Sequence, residues 1–211
     1  MEKTGRISVF VAAIFLCGLG IAITTQANLG TTPISSLPYV LTFMTPLSFG
    51  TTTFIINILF LLFQAIILKD KFRKRDYLQI AVALFFGFFV DLGMHIASYF
   101  TPENYFEKIL MLTIGSAILA LGAALEIAAD ILYVPGEGIV RAISIKTGKE
   151  FGKIKIIFDI SHCIIAIILS AIVLHSIKGL REGTVLAGFL VGGFIQLYCK
   201  LGAKFKNKQS L

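Results

Sequence analysis

Asp91 sits inside the apolar run FFGFFVDLGMHIA (residues 85–97), with His95 one helical turn later on the same face. Asp159 and His162 form a second acid–imidazole pair, three residues apart in KIIFDISHCII (155–165). An ionisable group in such a run is costly to keep and marks a functional candidate. A carboxylate there can exchange a proton or meet a cation. Glu126 and Asp130 lie one turn apart at the end of another apolar run, and Glu137 and Arg141 follow at i, i+4. None of these spacings belongs to a hydrolase or a metal site. There is no HExxH, no GxSxG and no Walker lysine loop, and TGKEFGK (147–153) lacks the glycine spacing of a phosphate loop. No enzymatic activity, metal or cofactor is expected. The chemistry left is the handling of protons or of a small polar molecule in apolar surroundings.

The elements that must position these groups are membrane spans. The chain has 211 residues, is 56 % hydrophobic and 15 % charged, and has a mean hydropathy of +0.87. Six stretches, at roughly 7–26, 51–68, 77–99, 109–128, 154–174 and 183–201, approach the ~20 residues needed to cross ~30 Å of hydrocarbon. The first is full length and ends in no clean cleavage site, so it reads as a retained span and not as a signal peptide. Cys17, Cys163 and Cys199 fall inside spans with no metal or redox spacing and read as packing residues. The expected surroundings are a lipid bilayer.

The formal charge of +7 does not point to nucleic acid, because its distribution is one-sided. If six spans alternate from a cytoplasmic N-terminus, sixteen of the nineteen basic residues fall inside, and only Lys108, Lys178 and Arg181 fall outside. By the positive-inside rule, that asymmetry is expected to leave both ends in the cytoplasm.

Residues 19–68 recur at 121–170 with a constant offset, Gly20 onto Gly122, Pro33 onto Pro135 and Phe49-Gly50 onto Phe151-Gly152. The third spans align more loosely, Gly87 onto Gly192 and Asp91 onto Gln196. Three spans per copy is an odd number, so the copies must enter the membrane from opposite sides, as in many secondary transporters. The expected fold is an all-α polytopic membrane protein. Six transmembrane helices form a 3+3 inverted repeat, residues 1–104 and 105–211, integrated as one membrane domain. Each half also carries a short re-entrant or interfacial helix. One starts at Thr32-Pro33, with Pro38 inside it and Thr45-Pro46 after it. The other starts at Val134-Pro135 and closes at Thr147-Gly148. Their N-terminal ends, if they dip inward, would offer N–H groups to an anion.

The copies differ at chemically telling columns: Asn28 against Asp130, Ser35 against Glu137, Tyr39 against Arg141, Asn57 against Asp159. Candidate substrate contacts are therefore Asn28, Pro33, Ser36, Asn57 and Asp91 in the first half. In the second half they are Asp130, Glu137, Arg141, Asp159 and His162. Gly188 and Gly192 form a GxxxG that could pack the bundle or seam a homodimer.

The segments ANLGTTPISSLP (27–38), SFGTTTFIIN (48–57), VPGEG (134–138) and REGTVLAGFLVGGFIQ (181–196) together resemble the YczE/YyaS/YitT-type bacterial membrane proteins, in particular the YczE branch. That family often has Gly-Pro where this chain has Gly192-Gly193. The resemblance implies a polytopic protein of the bacterial cytoplasmic membrane and names no substrate. The expected function is small-molecule secondary transport by alternating access, with Asp91 or Asp159 as the site of proton coupling. A substrate-binding membrane subunit of a vitamin importer is the alternative, as is a non-transporting accessory protein docking through the basic 69–75 loop.

Overall fold

In hydrocarbon an apolar stretch must satisfy its backbone hydrogen bonds within itself, which leaves helices as the regular structure open to these runs. The computed structural model describes residues 3–208 and contains no strand among them. Met1 and Glu2 of the basic leading stretch and Gln209–Leu211 of the basic tail lie outside the described residues. Six helices are long and apolar enough to cross a membrane. They are α1 (Lys3–Gln26), α3 (Phe49–Leu68), α4 (Gln79–Ala97), α5 (Tyr105–Ala129), α7 (Phe151–Leu174) and α8 (Glu182–Lys208). Each agrees with its expected span to within a few residues at the start. Two short helices lie between them: α2 (Ser36–Thr42), reached through a 3-10 turn at Pro33–Ser35, and α6 (Pro135–Thr147).

The punctuation is local. Pro33 and Pro135 occupy the first helical positions of their segments, where a missing N–H costs nothing. After α1 and α5 the chain turns back on a left-handed residue, Asn28 (φ 58°) and Asp130 (φ 46°). Asn and Asp are among the few residue types that visit this region readily. The Asn28/Asp130 column thus has a turning role in the backbone.

Chain direction follows from contacts at the helix ends. Arg6, near the start of α1, donates from Nε to the Ala129 carbonyl (2.9 Å) and from Nη2 to the Asp130 carbonyl (2.8 Å) at the end of α5. This end of the bundle is called the near face. At the opposite, far face, Arg181 Nη1 donates to the Asn28 carbonyl (3.1 Å), tying the α7–α8 loop to the end of α1.

The centre of the bundle is the α1–α5 pair. Helix α4 lies against α1 and α8 against α5. The pair is packed backbone to backbone. A Cβ on Gly20 would overlap the backbone of Leu119, and one on Gly122 would lie 2.8 Å from the Cys17 nitrogen. Cys17 is buried here as expected, whereas Cys199 is exposed on α8; the exposed α8 face leaves it no packing role within the chain. Helix α3 packs against α6, and α7 against α2 and the turn before it, so each short helix touches a long helix of the other half.

Two seams differ sharply. Helices α3 and α4 close tightly where a Cβ on Gly87 would lie 2.6 Å from the Gly50 carbonyl oxygen. Helices α7 and α8 form no comparable seam among the described residues, and Gly152 and Gly192 have no atom within 4 Å of a built Cβ. Of the GxxxG pair, Gly188 packs on Pro33 (3.2 Å to Cγ), while Gly192 faces open space.

Substituting Gly20 by Ala forces the α1–α5 backbones apart and should cost about 1–3 kcal/mol. Gly152→Ala, in open space, should stay within about 0.5 kcal/mol of wild type. Thermal unfolding of the two purified variants checks this; equal midpoints would remove the packing role assigned to Gly20.

Candidate functional site

The starts of the two short helices meet at mid-height in the bundle. Asn57, eight residues and roughly 12 Å along α3, accepts the Gly136 N–H on Oδ1 (3.0 Å). The Ile34 side chain lies against Gly136, its Cδ1 2.9 Å from a built Cβ. Pro33 reaches the same depth from the far side, with its carbonyl near Cys163 Sγ (4.0 Å), halfway along α7.

The start of α6 is fully tied down. Glu126, 2 % exposed on α5, accepts the Val134 N–H on Oε1 (2.8 Å). Gln64 Nε2 donates to the Pro135 carbonyl (3.1 Å) and to Gln79 Oε1 (3.3 Å), and Gln79 returns the second bond. The N–H groups expected to face an anion are therefore already bonded to Asn57 and Glu126. An acceptor supplied by the protein wins because it needs no ligand to satisfy a buried donor.

Six of the ten candidate residues converge on this junction. Pro33 and Asn57 form it. Ser36 is fully buried and donates to the Pro33 carbonyl (2.6 Å). Asp159 lies on α7 but does not repeat the part played by Asn57. Lys155, one turn earlier, holds both its oxygens (2.7 and 2.8 Å) in a largely buried pair. The i, i+4 spacing of Lys155 and Asp159 is the sequence signal for this pair. Lys155 and Asp159 are also the charges that act on Glu137, half-buried at the start of α6. His162 is buried between Phe60 (5.1 Å) and Phe158 (4.3 Å), with Nδ1 on the Phe158 carbonyl. Two hydroxyls next to the junction in sequence, Thr32 and Thr53, are buried without a protein partner.

The other four lie elsewhere. Asn28 and Asp130 turn the backbone at opposite faces. Arg141 is exposed and stacks on Tyr133 (4.6 Å), and despite the i, i+4 spacing it makes no ion pair with Glu137 among the described residues. Asp91 belongs to the α3–α4 seam near the far face. It accepts the Gly50 N–H (2.6 Å) and the Ser48 hydroxyl (2.6 Å). His95 turns away to Tyr99 (5.6 Å), so the expected Asp91–His95 pair does not form. Gln64, Gln79 and Ser48 join the site without having been singled out in the sequence, and Glu126 enters it as an acceptor and not as the partner of Asp130. These amides and the carboxylate lie near helix ends, and their partners lie on other elements.

Cavities open at both faces. One of about 240 Å³ lies at the far face among Asn28, Tyr39, Lys178 and Arg181. One of about 230 Å³ lies at the near face between the α3–α4 linker and α6 and reaches Gln64 and Gln79.

Asn57→Leu leaves the Gly136 N–H buried without an acceptor and should cost about 1–3 kcal/mol. Glu126→Gln keeps an acceptor for Val134 and should cost less. Amide hydrogen exchange over 134–138 reads both; protection unchanged in Asn57→Leu would show that Asn57 does not hold the helix start.

A protein of Haemophilus influenzae, described only as an uncharacterized protein, is 24 % identical over 201 residues, covering 95 % of this chain and 86 % of that protein. No solved structure matches the chain. The pattern of a family of unknown function, DUF6198, matches residues 4–200, the whole of the bundle up to the end of α8's apolar stretch. With its six apolar helices, this chain is a multi-pass membrane protein that belongs to the DUF6198 family.

Proposed function

We propose that the protein is a secondary transporter of a small polar molecule in the bacterial cytoplasmic membrane, working by alternating access between inverted halves. The observation that carries this reading is the unequal closure of two corresponding seams. Gly50 and Gly152 are matching columns of the repeat, as are Gly87 and Gly192 in the looser third-span alignment. Gly50 and Gly87 are in backbone contact, whereas Gly152 and Gly192 stand open. Two packings of one repeated unit are what a two-state rocking bundle requires.

Other contacts support the inverted arrangement. Gly20 packs on Leu119, and their repeat partners Gly122 and Cys17 pack on each other. Helix α3 meets α6 as α7 meets α2, and α1 meets α4 as α5 meets α8. The YczE-branch resemblance agrees with such a polytopic bundle. The excess of basic residues assigns the near face, with both termini, to the cytoplasm. In that orientation the conformation is inward-facing: shut outside by Gly50, Gly87 and Asp91, open inside between α7 and α8.

The substrate would sit at the junction of the short helices, where the Thr32 and Thr53 hydroxyls lack partners and Glu137, Lys155 and Asp159 supply charge. No bond in the substrate is made or broken. Asp91 serves as the outer latch. Both of its contacts are donors to the carboxylate, so a proton taken up from outside removes an acceptor and loosens the seam.

Spin labels test this in a variant whose three cysteines are replaced by serine. One pair reads the outer seam (Leu47→Cys with Tyr99→Cys), and another the inner (Ile156→Cys with Leu197→Cys). All four positions are exposed. Two anticorrelated populations are expected, and Asp91→Asn should shift them at least about tenfold toward outer-open, inner-closed, the worth of one charge-assisted hydrogen bond. Single fixed distances in both pairs, unmoved by Asp91→Asn, would reject alternating access. Singly labelled protein distinguishes an inner gap filled by a second copy, which would give a short intermolecular distance.

A further inference from the structure

The near-face cavity has an electrostatic character that the junction does not share. Lys71, Arg73, Arg75 and Arg141 line it from the α3–α4 linker and α6. Its two carboxylates are already engaged. Asp76 accepts the Arg73 backbone N–H (2.7 Å), and Asp130 faces Arg6 (3.5 Å). Arg75 is engaged as well, donating to the Ile131 carbonyl. Among the described residues Lys71, Arg73 and Arg141 make no ion pair. Arg141 is held by its face on Tyr133, and stacking of this kind leaves the in-plane N–H donors of a guanidinium free. The floor is polar too, formed by the buried and reciprocally bonded amides of Gln64 and Gln79.

We propose that this cavity binds a phosphate group, carried either by a small soluble phosphate or by the headgroup of an anionic lipid. Three cations without carboxylate partners favour a phosphate, whose several oxygens can meet more than one of them at once; a phosphate monoester also carries more than one negative charge near neutral pH, and a lipid phosphodiester carries one. Arg141 and Arg73 present paired N–H donors suited to phosphate oxygens, with Lys71 as a point charge. A volume of about 230 Å³ is below the usual size of a drug-like site, ~300 Å³ and above, and suits a small phosphate or a headgroup. The far-face cavity offers less: its Arg181 is already paired with Glu182 (3.1 Å) and Lys178 lies over the Phe43 ring (5.9 Å). A basic pocket on one face of a helical membrane protein is also where anionic headgroups dock. Binding here requires no motion of the bundle, so it stands or fails separately from transport.

The test uses the full chain, delipidated in neutral detergent, with inorganic phosphate and glycerol phosphate as probes against acetate at matched ionic strength. Thermal unfolding and calorimetry should show saturable phosphate binding, weakened at least about tenfold in Arg141→Gln and several-fold in Lys71→Gln. Lys108→Gln, outside the cavity, should bind as wild type does. In parallel, protein from mixed phosphatidylglycerol and phosphatidylcholine vesicles is analysed by native mass spectrometry. Phosphatidylglycerol retained by wild type, displaced by inorganic phosphate and lost in Arg141→Gln identifies the headgroup as the source. Phosphate binding without retained lipid identifies a soluble ligand. Neither phosphate binding nor phosphatidylglycerol retention in wild type, or equal binding in wild type and both folded cavity variants, overturns the proposal.

Discussion

A helix that begins inside an apolar bundle leaves its first N–H groups beyond the reach of water, and each must find an acceptor from the protein. Helix α6 is held at its start by four side chains from three other helices. Glu126 takes the Val134 N–H, Asn57 takes the Gly136 N–H, and Gln64, braced by Gln79, holds the Pro135 carbonyl. Pro135 has no N–H to satisfy. These bonds bring α3, α4 and α5 to one point. The break in the chain between α5 and α6 exists at that depth because those polar groups are there to receive it.

The first half solves the same problem by other means. Its short helix starts through a 3-10 turn, with Ser35 N–H on the Thr32 carbonyl and Ser36 Oγ on the Pro33 carbonyl. Asp159, the repeat partner of Asn57, is occupied by Lys155 and leaves the turn to bond within itself. The same scaffold therefore carries two chemistries. On the α3 side the mid-height polar group is a neutral amide spent on structure. On the α7 side it is an ion pair beside Glu137. A neutral amide can lock a helix start at low desolvation cost, whereas a half-buried pair keeps a charge available and costs more to hold. On the transport reading proposed above, that difference favours the α7 side for ligand handling, and α7 and α8 also form no close seam there.

The spans, the paired short helices and their proline starts were legible in the sequence because each rests on a local rule: apolar run length, a proline that tolerates the first turn, a left-handed Asn or Asp at a turn. The partners of the in-span polar groups were not. Asp91 bonds to Ser48 and Gly50, some forty positions earlier, and nothing in FFGFFVDLGMHIA distinguishes that from pairing with His95. Glu126 and Asp130 share a helical face by spacing, yet the helix ends between them, so one turns inward as an acceptor and the other outward to Arg6. The Lys155–Asp159 bridge is readable from its i, i+4 spacing, although the same lysine also belongs to the basic residues that set orientation.

The repeat also explains why one seam can be tight while its counterpart is open. Close approach of α3 and α4 needs glycine on both sides, and a hydrogen-bonded latch then holds it: Asp91 reaches back across the Gly50–Gly87 contact to the capping Ser48. The α7–α8 pair keeps the glycines, Gly152 and Gly192, but has Gln196 in the column of Asp91 and Glu150 in the column of Ser48. A glutamine amide can meet a glutamate, but as a neutral donor to one exposed carboxylate it makes a weaker closure than a carboxylate fed by two donors. The two seams thus share their glycines and differ in what spans them: among the described residues, the α3–α4 seam has a carboxylate fed by two donors reaching across it, and the α7–α8 pair has no such bridge.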